Sequence, residues 1–408
     1  MQNDAIGILA FVPDLWSLQR QSRHHILEGL SKHYKVLWVS PPMFFEGWGR
    51  DGVRSSLVGR GLRKISDKLW AYAAWLPSDY KQRYSKRGMV QGCFRIYHRL
   101  WRIAYVRRIK KLLRAMGIDE VILYVWRPEF HWALGQFSEI LTCYHIDDEY
   151  SFDPSRDQPV SDEERKLLTE ADLVFIHSKT LFEKKGHINP NTFCVPNGVD
   201  FEHYRAVLQQ NAPEPADLAS IPHPRIGCMG HIKRHIDLRL LRAIAEARPD
   251  WSLVWVGPVR ENHEDIKEDV AALMRLPNVY FLGGKPAVEL PRYVNGLDVA
   301  LMPYRKTPYT HYIYPMKMHE YLACGKPVVA TELENLKEFS HVLDFAEGVD
   351  NWIAAIERNL IGFTHECRDA RVAVARENSW EERVTGIALL IERQYRMFAE
   401  QNSHDSIK

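Results

Sequence analysis

The sequence predicts an α/β protein built from two doubly wound domains that face a central cleft. Three observations carry this expectation. The chain has 408 residues, enough for two to three domains. Short Val/Ile/Leu runs alternate with segments of helical length, the pattern of βαβ units. That rhythm stops at Gln209–Pro224, a stretch with four prolines that reads as a linker, and then starts again.

The elements follow in order. Ile6–Val12 is a buried strand, and an amphipathic helix follows around Arg20–His33. Val36–Ser40 is a second strand, which Pro41 and Pro42 should end because proline cannot donate to a ladder. Val121–Trp126, Leu141–His145, Leu173–His177 and Thr192–Val195 complete the first set. Arg225–Met229, Ser252–Val256, Val279–Leu282, Val299–Pro303 and Pro327–Thr331 form the second. A last helix begins after Ser379, a suitable N-cap, with Glu381 and Glu382 in its first turn. The expected units are residues 1–205, residues 206–380, and a terminal helix over 381–408 that packs back on the first domain. In such a pair, ligands lie at the carboxyl ends of the strands.

Composition removes several function classes. Hydrophobic residues make up 46% and the formal net charge is +2, so there is no global nucleic-acid signature. Six cysteines lie far apart with no C-x-x-C, which argues against a disulfide scaffold or zinc site and for reduced, cytosolic thiols. No apolar run approaches the roughly 18–20 residues of a membrane span. Asp4 and no Lys or Arg precede the first apolar stretch, unlike a secretory signal. A soluble, cytoplasmic protein is expected.

One segment departs from this neutral balance. Lys81–Arg114 carries twelve Lys and Arg and no acidic residue. At 100° per residue Tyr97, Trp101, Tyr105, Ile109, Leu112 and Met116 share one stripe. Arg95, Arg99, Arg102, Lys110 and Arg114 lie opposite, with Ile96, Ile103 and Val106 among them. A basic face interleaved with apolar side chains suits an anionic membrane surface. A plain solvated face and a nucleic-acid contact are the alternatives.

The richest stretch for chemistry is YIYPMKMHEYLACGKPVVAT, Tyr312–Thr331. Pro315 opens a helix that places Lys317 and Glu320 on one face, and Gly325 ends it. A helix start carrying a lysine suits phosphate, and an acid one turn on can accept from sugar hydroxyls. Surface pairing of Lys317 with Glu320 is the plainer alternative. YHIDDEY, Tyr144–Tyr150, puts two carboxylates at a strand end. Asp148 first and Asp147 second are candidates for a general base, with His145 as a donor to sugar or phosphate; capping of the next helix is the alternative. Trp16, Arg20 and Gln21 after the first strand, and Trp126 and Arg127 after another, are candidates to bind an acceptor; an aromatic plug is the other reading of Trp16. Asn197 in PNGVD reads as a turn residue. No G-x-x-x-x-G-K-[ST], G-x-S-x-G or H-E-x-x-H occurs.

K-x-x-E-Y-L-A-C-G-K-P-V-V at Lys317–Val329 resembles the donor-binding segment of GT-B glycosyltransferases. The bacterial teichuronic-acid and exopolysaccharide enzymes in or near glycosyltransferase family 4 are the most similar. ADLVFIHSKTLFEKK (171–185), VPNGVDFEHY (195–204), RIGCMGHI (225–232) and LVWVGP (253–258) match in order. LPNVYFLGGKPAVELPRYVNGLDVALMPY (276–304) and NSWEERV (378–384) complete the set. The resemblance implies two Rossmann-like domains, acceptor on the first and nucleotide-sugar on the second. It places Gly230 and Gly257 against the donor, Leu290 and Pro291 beside the base, Lys317 at the diphosphate and Glu320 at ribose or sugar hydroxyls. Retaining relatives commonly carry a second glutamate eight positions before the first, where this chain has Tyr312. They also carry Arg after the glycine, where His231 stands, and a later Lys, where Asp237 stands; Lys233 comes early instead. His231, Lys233 and Tyr312 thus join the donor candidates.

The resemblance implies transfer of a sugar from a nucleotide diphosphate, UDP being favoured, to a glycan or polyprenyl-linked acceptor in bacterial polysaccharide biosynthesis. It implies no metal, and the basic helix would hold the enzyme at the inner face of the plasma membrane. A nucleotide-sugar epimerase and a non-catalytic scaffold of a polysaccharide assembly complex are the alternative readings.

Overall fold

A computed structural model describes residues 5–16, 20–44, 61–76, 88–151, 160–209, 213–259, 264–362 and 364–405. The first sheet holds β1 (Ile6–Phe11), β2 (Lys35–Phe44), β3 (Gly61–Ser66), β4 (Leu69–Leu76), β5 (Glu120–Val125), β6 (Leu141–Ile146), β7 (Leu173–Ile176) and β8 (Thr192–Cys194). Their order is β3-β4-β2-β1-β5-β6-β7-β8, parallel except for β3, which runs antiparallel to β4. The second sheet holds β9 (Arg225–Met229), β10 (Ser252–Val256), β11 (Val279–Phe281), β12 (Val299–Met302), β13 (Val328–Ala330) and β14 (Asp344–Phe345). It is wholly parallel, in the order β11-β10-β9-β12-β13-β14. Strand order reverses at β1 in one sheet and at β9 in the other, so each domain has a crevice at those strand ends. The central strands are buried on both faces, which is why they read as unbroken apolar runs.

Several boundaries differ from the sequence expectation, each for a local reason. β2 does not stop at Pro41; it continues to Phe44, and its register against β4 shifts between Ser40 and Met43, so the prolines sit in a bulge. The β3–β4 hairpin was not expected. β3 is an exposed edge strand carrying Arg63 and Lys64, polar enough to lack a strand signature. The proline-rich stretch is no free linker over its described part. Leu218 and Ile221 are buried, Arg225 pairs with Glu214, and Lys285 pairs with Asp217, which ties the segment to the second domain. Val199, Phe201 and Tyr204 belong to the second domain's core, so the change of core precedes residue 205.

The last helix, Trp380–Asp405, lies on the first domain: Trp380 stacks on His25 at 5.2 Å and the Tyr395 hydroxyl donates to Glu120. A second link between the domains is Asn335, whose side chain accepts from the Thr180 amide and donates to the Thr180 hydroxyl. Cys143, Cys194, Cys228, Cys324 and Cys367 are free thiols.

Of the basic segment, 81–87 lies outside the described residues, and a helix spans Gly88–Ala115. Tyr105, Ile109, Leu112 and Leu113 are buried against the first sheet, and Trp101 stacks on Tyr105. Val106, expected on the basic side, is also buried. Leu100 (61% exposed) and Ile103 (40%) face outward, with Arg107, Lys111 and Arg114 following at helical spacing on the same side.

Candidate active site

The second domain builds a positive seat at the end of β9. Gly230 follows the strand with φ of 101°, a conformation that favours glycine. Its amide donates to the Val256 carbonyl at 2.8 Å, and its own carbonyl accepts from Trp255 Nε1 at 2.7 Å. A Cβ on Gly230 would fall on Cε and Nζ of Lys317, so the missing side chain is what lets the ammonium lie against the backbone. Lys317 stands in the first turn of the helix Met316–Ala323, whose free N–H groups add to its charge. His231, Lys233 and His235 from the loop after Gly230 line the same cavity. Burial, reinforced by Lys233 and Lys317, pushes His235 down to about 4, so it is neutral at pH 7 and the charge resides on the lysines.

Glu320 sits one turn beyond Lys317 and receives a hydrogen bond from the Tyr204 side chain. Burial raises its pKa, with Lys317 and Tyr204 opposing. Gly257 was expected against the base or ribose; instead its Cβ position is filled by the Gly230 carbonyl, and its role is to let β9 and β10 close up. Leu290 and Pro291 were expected beside the base. Pro291 is buried with its carbonyl near Cys324 Sγ, and Leu290 packs on the domain core; neither lines the cavity. Tyr312 does line it, with the Lys184 ammonium 5.1 Å above its ring.

The first domain meets this seat with the loop after β6, and its two aspartates are not equivalent. Asp147 accepts from Arg23 Nη1 at 2.7 Å and from the Tyr150 hydroxyl at 2.6 Å. Burial alone would raise its pKa, but Arg23 and Arg127, with the Tyr150 hydrogen bond, win and hold it below the usual carboxylate range. It is a structural anion, stabilising at neutral pH and weakened only when acid protonates it. Asp148 accepts instead from Tyr309 of the second domain, and both carboxylates line the cavity. Arg127 lies over the Tyr150 ring at 4.6 Å and is held charged by Tyr150, Asp147 and Asp148 against its own burial.

The loop is held from behind by an ion cluster with no solvent access. Lys185 Nζ lies 2.8 Å from Glu149 Oε1 and 2.7 Å from Glu164 Oε1.

Two candidates leave the site altogether. His145 is 1% exposed, stacks on Trp126 at 5.1 Å and bonds the Tyr124 hydroxyl through Nδ1; burial lowers it to about 3. Trp126 is fully buried in the same aromatic layer. Both are enclosed in an aromatic layer inside the first domain, and neither lines the cavity. Trp16 packs edge-on against Trp38 at 5.0 Å, the aromatic-plug arrangement, and Arg20 pairs with Glu28 on the helix surface. Gln21 caps that helix. Conversely, His177, Asn197, Tyr304 and Tyr309 line the cavity without having been singled out for it. Asn197, read as a turn residue, also donates to the Tyr314 carbonyl across the domains.

Residues 223–360 match the family model described as "Glycosyl transferases group 1". The putative teichuronic acid biosynthesis glycosyltransferase TuaH of Bacillus subtilis (strain 168) is 31% identical over 235 residues. That match takes in 55% of this chain and 58% of the relative, so the chain spans little more than half the relative's length. A structure described as trehalose-6-phosphate from E. coli bound with UDP-2-fluoro glucose superposes with a TM-score of 0.67 at 13% identity, covering 95% of this chain and 98% of the other. Anabaena Alr3699/HepE in complex with UDP gives 0.62 at 15% identity, covering 95% and 100%. At such identities the likeness is one of fold, two doubly wound domains about a cleft.

Proposed function

Because the chain carries a glycosyl transferase group 1 domain on a GT-B frame, we propose that it moves a sugar from a nucleoside diphosphate to a hydroxyl of a glycan or polyprenyl-linked acceptor. The observation that carries this reading is the seating of Lys317 against Gly230, with Asp148 facing it from the other domain. The acceptor oxygen attacks the anomeric carbon as its proton passes to Asp148, and the bond to the diphosphate breaks with inversion. Lys317, Lys233 and the helix start take up the charge on the leaving diphosphate, with no metal assigned to the step. UDP is the favoured nucleotide, since structural neighbours of the same fold hold UDP and UDP-glucose. The TuaH relative points to bacterial polysaccharide assembly as the setting. Titration calorimetry with UDP, GDP and their sugars tests the donor: one nucleotide series is expected to bind at micromolar Kd, and no binding by any of them would overturn the reading.

The proposal includes peripheral attachment at the inner leaflet. No helix among the described residues is long and apolar enough to cross a membrane. The Leu100–Ile103–Arg107–Lys111–Arg114 stripe supports a surface contact through charge and shallow apolar insertion. Each basic residue near an anionic leaflet contributes about 1 kcal/mol. Arg107→Gln, Lys111→Gln and Arg114→Gln together should therefore weaken flotation with phosphatidylglycerol vesicles more than tenfold, without affecting nucleotide binding. Equal flotation by wild type and variant, or with neutral vesicles, removes the attachment.

A further inference from the structure

Tyr309 belongs to the second domain, on the segment that runs from β12 to the Lys317 helix, yet its hydroxyl donates to the first domain's Asp148. The distances are 3.3 Å to Oδ1 and 3.4 Å to Oδ2. A near-equal, long contact of this kind is weak beside the 2.6 Å bond that holds Asp147. The segment behind Tyr309 is firm: Thr310 is buried, its hydroxyl donates to the Arg305 carbonyl at 2.7 Å, and it accepts from the Thr307 amide. The Tyr309 ring packs 6.1 Å from His235, which in turn stacks on Tyr304. Burial raises the phenol to about 12, so it stays a proton donor at working pH.

We infer that the Tyr309 hydroxyl occupies on Asp148 the position of the acceptor hydroxyl, guarding the base so that water does not take the sugar. The inference rests on the reading of Asp148 as the base. An acceptor with many contacts of its own displaces a weak phenol contact, whereas a lone water gains little by doing so. In the unwanted reaction, water oxygen attacks the anomeric carbon, its proton goes to Asp148, and the nucleoside diphosphate leaves. Tyr309 suppresses that hydrolysis and competes with the acceptor. The groups facing Asp148 are Arg127 from the end of β5, His177 from the end of β7, Asp147 beside it, and Tyr309, itself influenced by Arg234. Of these, the Tyr309→Phe change removes one hydrogen bond to the carboxylate and leaves the others in place.

The test is Tyr309→Phe, with Tyr309→Met as a second variant, assayed with the UDP-sugar that calorimetry identifies. Expected are a severalfold rise in donor hydrolysis without acceptor and a lower acceptor KM at unchanged donor KM. A spacer role for the ring would move none of these. Unchanged hydrolysis and acceptor KM overturn the inference, as does a folded Tyr309→Phe enzyme that has lost transfer. Asp148→Asn in parallel separates the two layers: if it retains transfer, the base reading fails first; if it is inactive while Tyr309→Phe matches wild type, only the guard fails.

Discussion

Asp148→Asn is expected to slow sugar transfer about 10²–10⁴-fold, the usual worth of a positioned general base, while UDP-sugar binding stays within a factor of two or so of wild type. The expectation follows from the division of labour between neighbouring carboxylates. Asp147 has its oxygens committed to Arg23 and Tyr150 and is held charged by them. Among the described residues Asp148 accepts from the Tyr309 hydroxyl at long range and from its neighbour's amide, Glu149 N, and with Asp147 it lines the cavity that also holds Lys317. Asparagine keeps the size and the local hydrogen bonds but cannot take a proton. Steady-state rates with donor and acceptor, beside calorimetry of the donor, separate chemistry from binding. The same substitution at Asp147 acts elsewhere: it removes one of the two carboxylates, with Asp14, that pair with the buried Arg23, and the denaturation midpoint falls. If Asp147→Asn loses activity at full stability while Asp148→Asn is active, the assignments are reversed.

The strands that position these groups were legible because parallel strands buried on both faces are nearly continuous apolar runs, as in β1, β5 and β9. The seating of Lys317 beside Gly230 was legible for a different reason. Gly230 and Lys317 are far apart in sequence, but each sits in a local pattern that specifies a strand end or a helix start. The errors at His145 and Trp126 had a signal against them. Alternation along β6 puts His145 on the side of Leu141 and Cys143, and Trp126 follows Tyr124 in the same way. Reading polar or aromatic residues at a strand end as cleft-facing ignored that alternation. Leu290 and Pro291 failed because a helix start buried against a neighbouring helix looks, in sequence, like one beside a ligand. Tyr309, His177 and Asn197 had no local signal. Each reaches the cavity only because the Thr180–Asn335 contact and the final helix hold the domains together.

Lys317→Ala is the most direct probe of the second domain, with an expected loss of about 10²–10³ in kcat and a roughly 10–100-fold rise in the Kd for the nucleotide. Its Cε and Nζ occupy the space where any other residue at 230 would place a Cβ, so the ammonium already lies beside the Gly230 backbone where a diphosphate would meet it. The same geometry makes Lys317→Arg a poor rescue, because a planar guanidinium is wider than the seat that the Gly230 backbone leaves. Glu320 supplies an internal control. It shares the helix face and its pKa is lowered by Lys317 against the effect of burial, so removing the ammonium should raise it further. That change belongs to the carboxylate whether or not a ligand is present, and it is readable by NMR titration of the nucleotide-free protein. A Lys317→Ala protein that shows the Glu320 shift but binds nucleotide as wild type would place the diphosphate elsewhere in the cleft, with Lys233 and His231 as the next residues to replace.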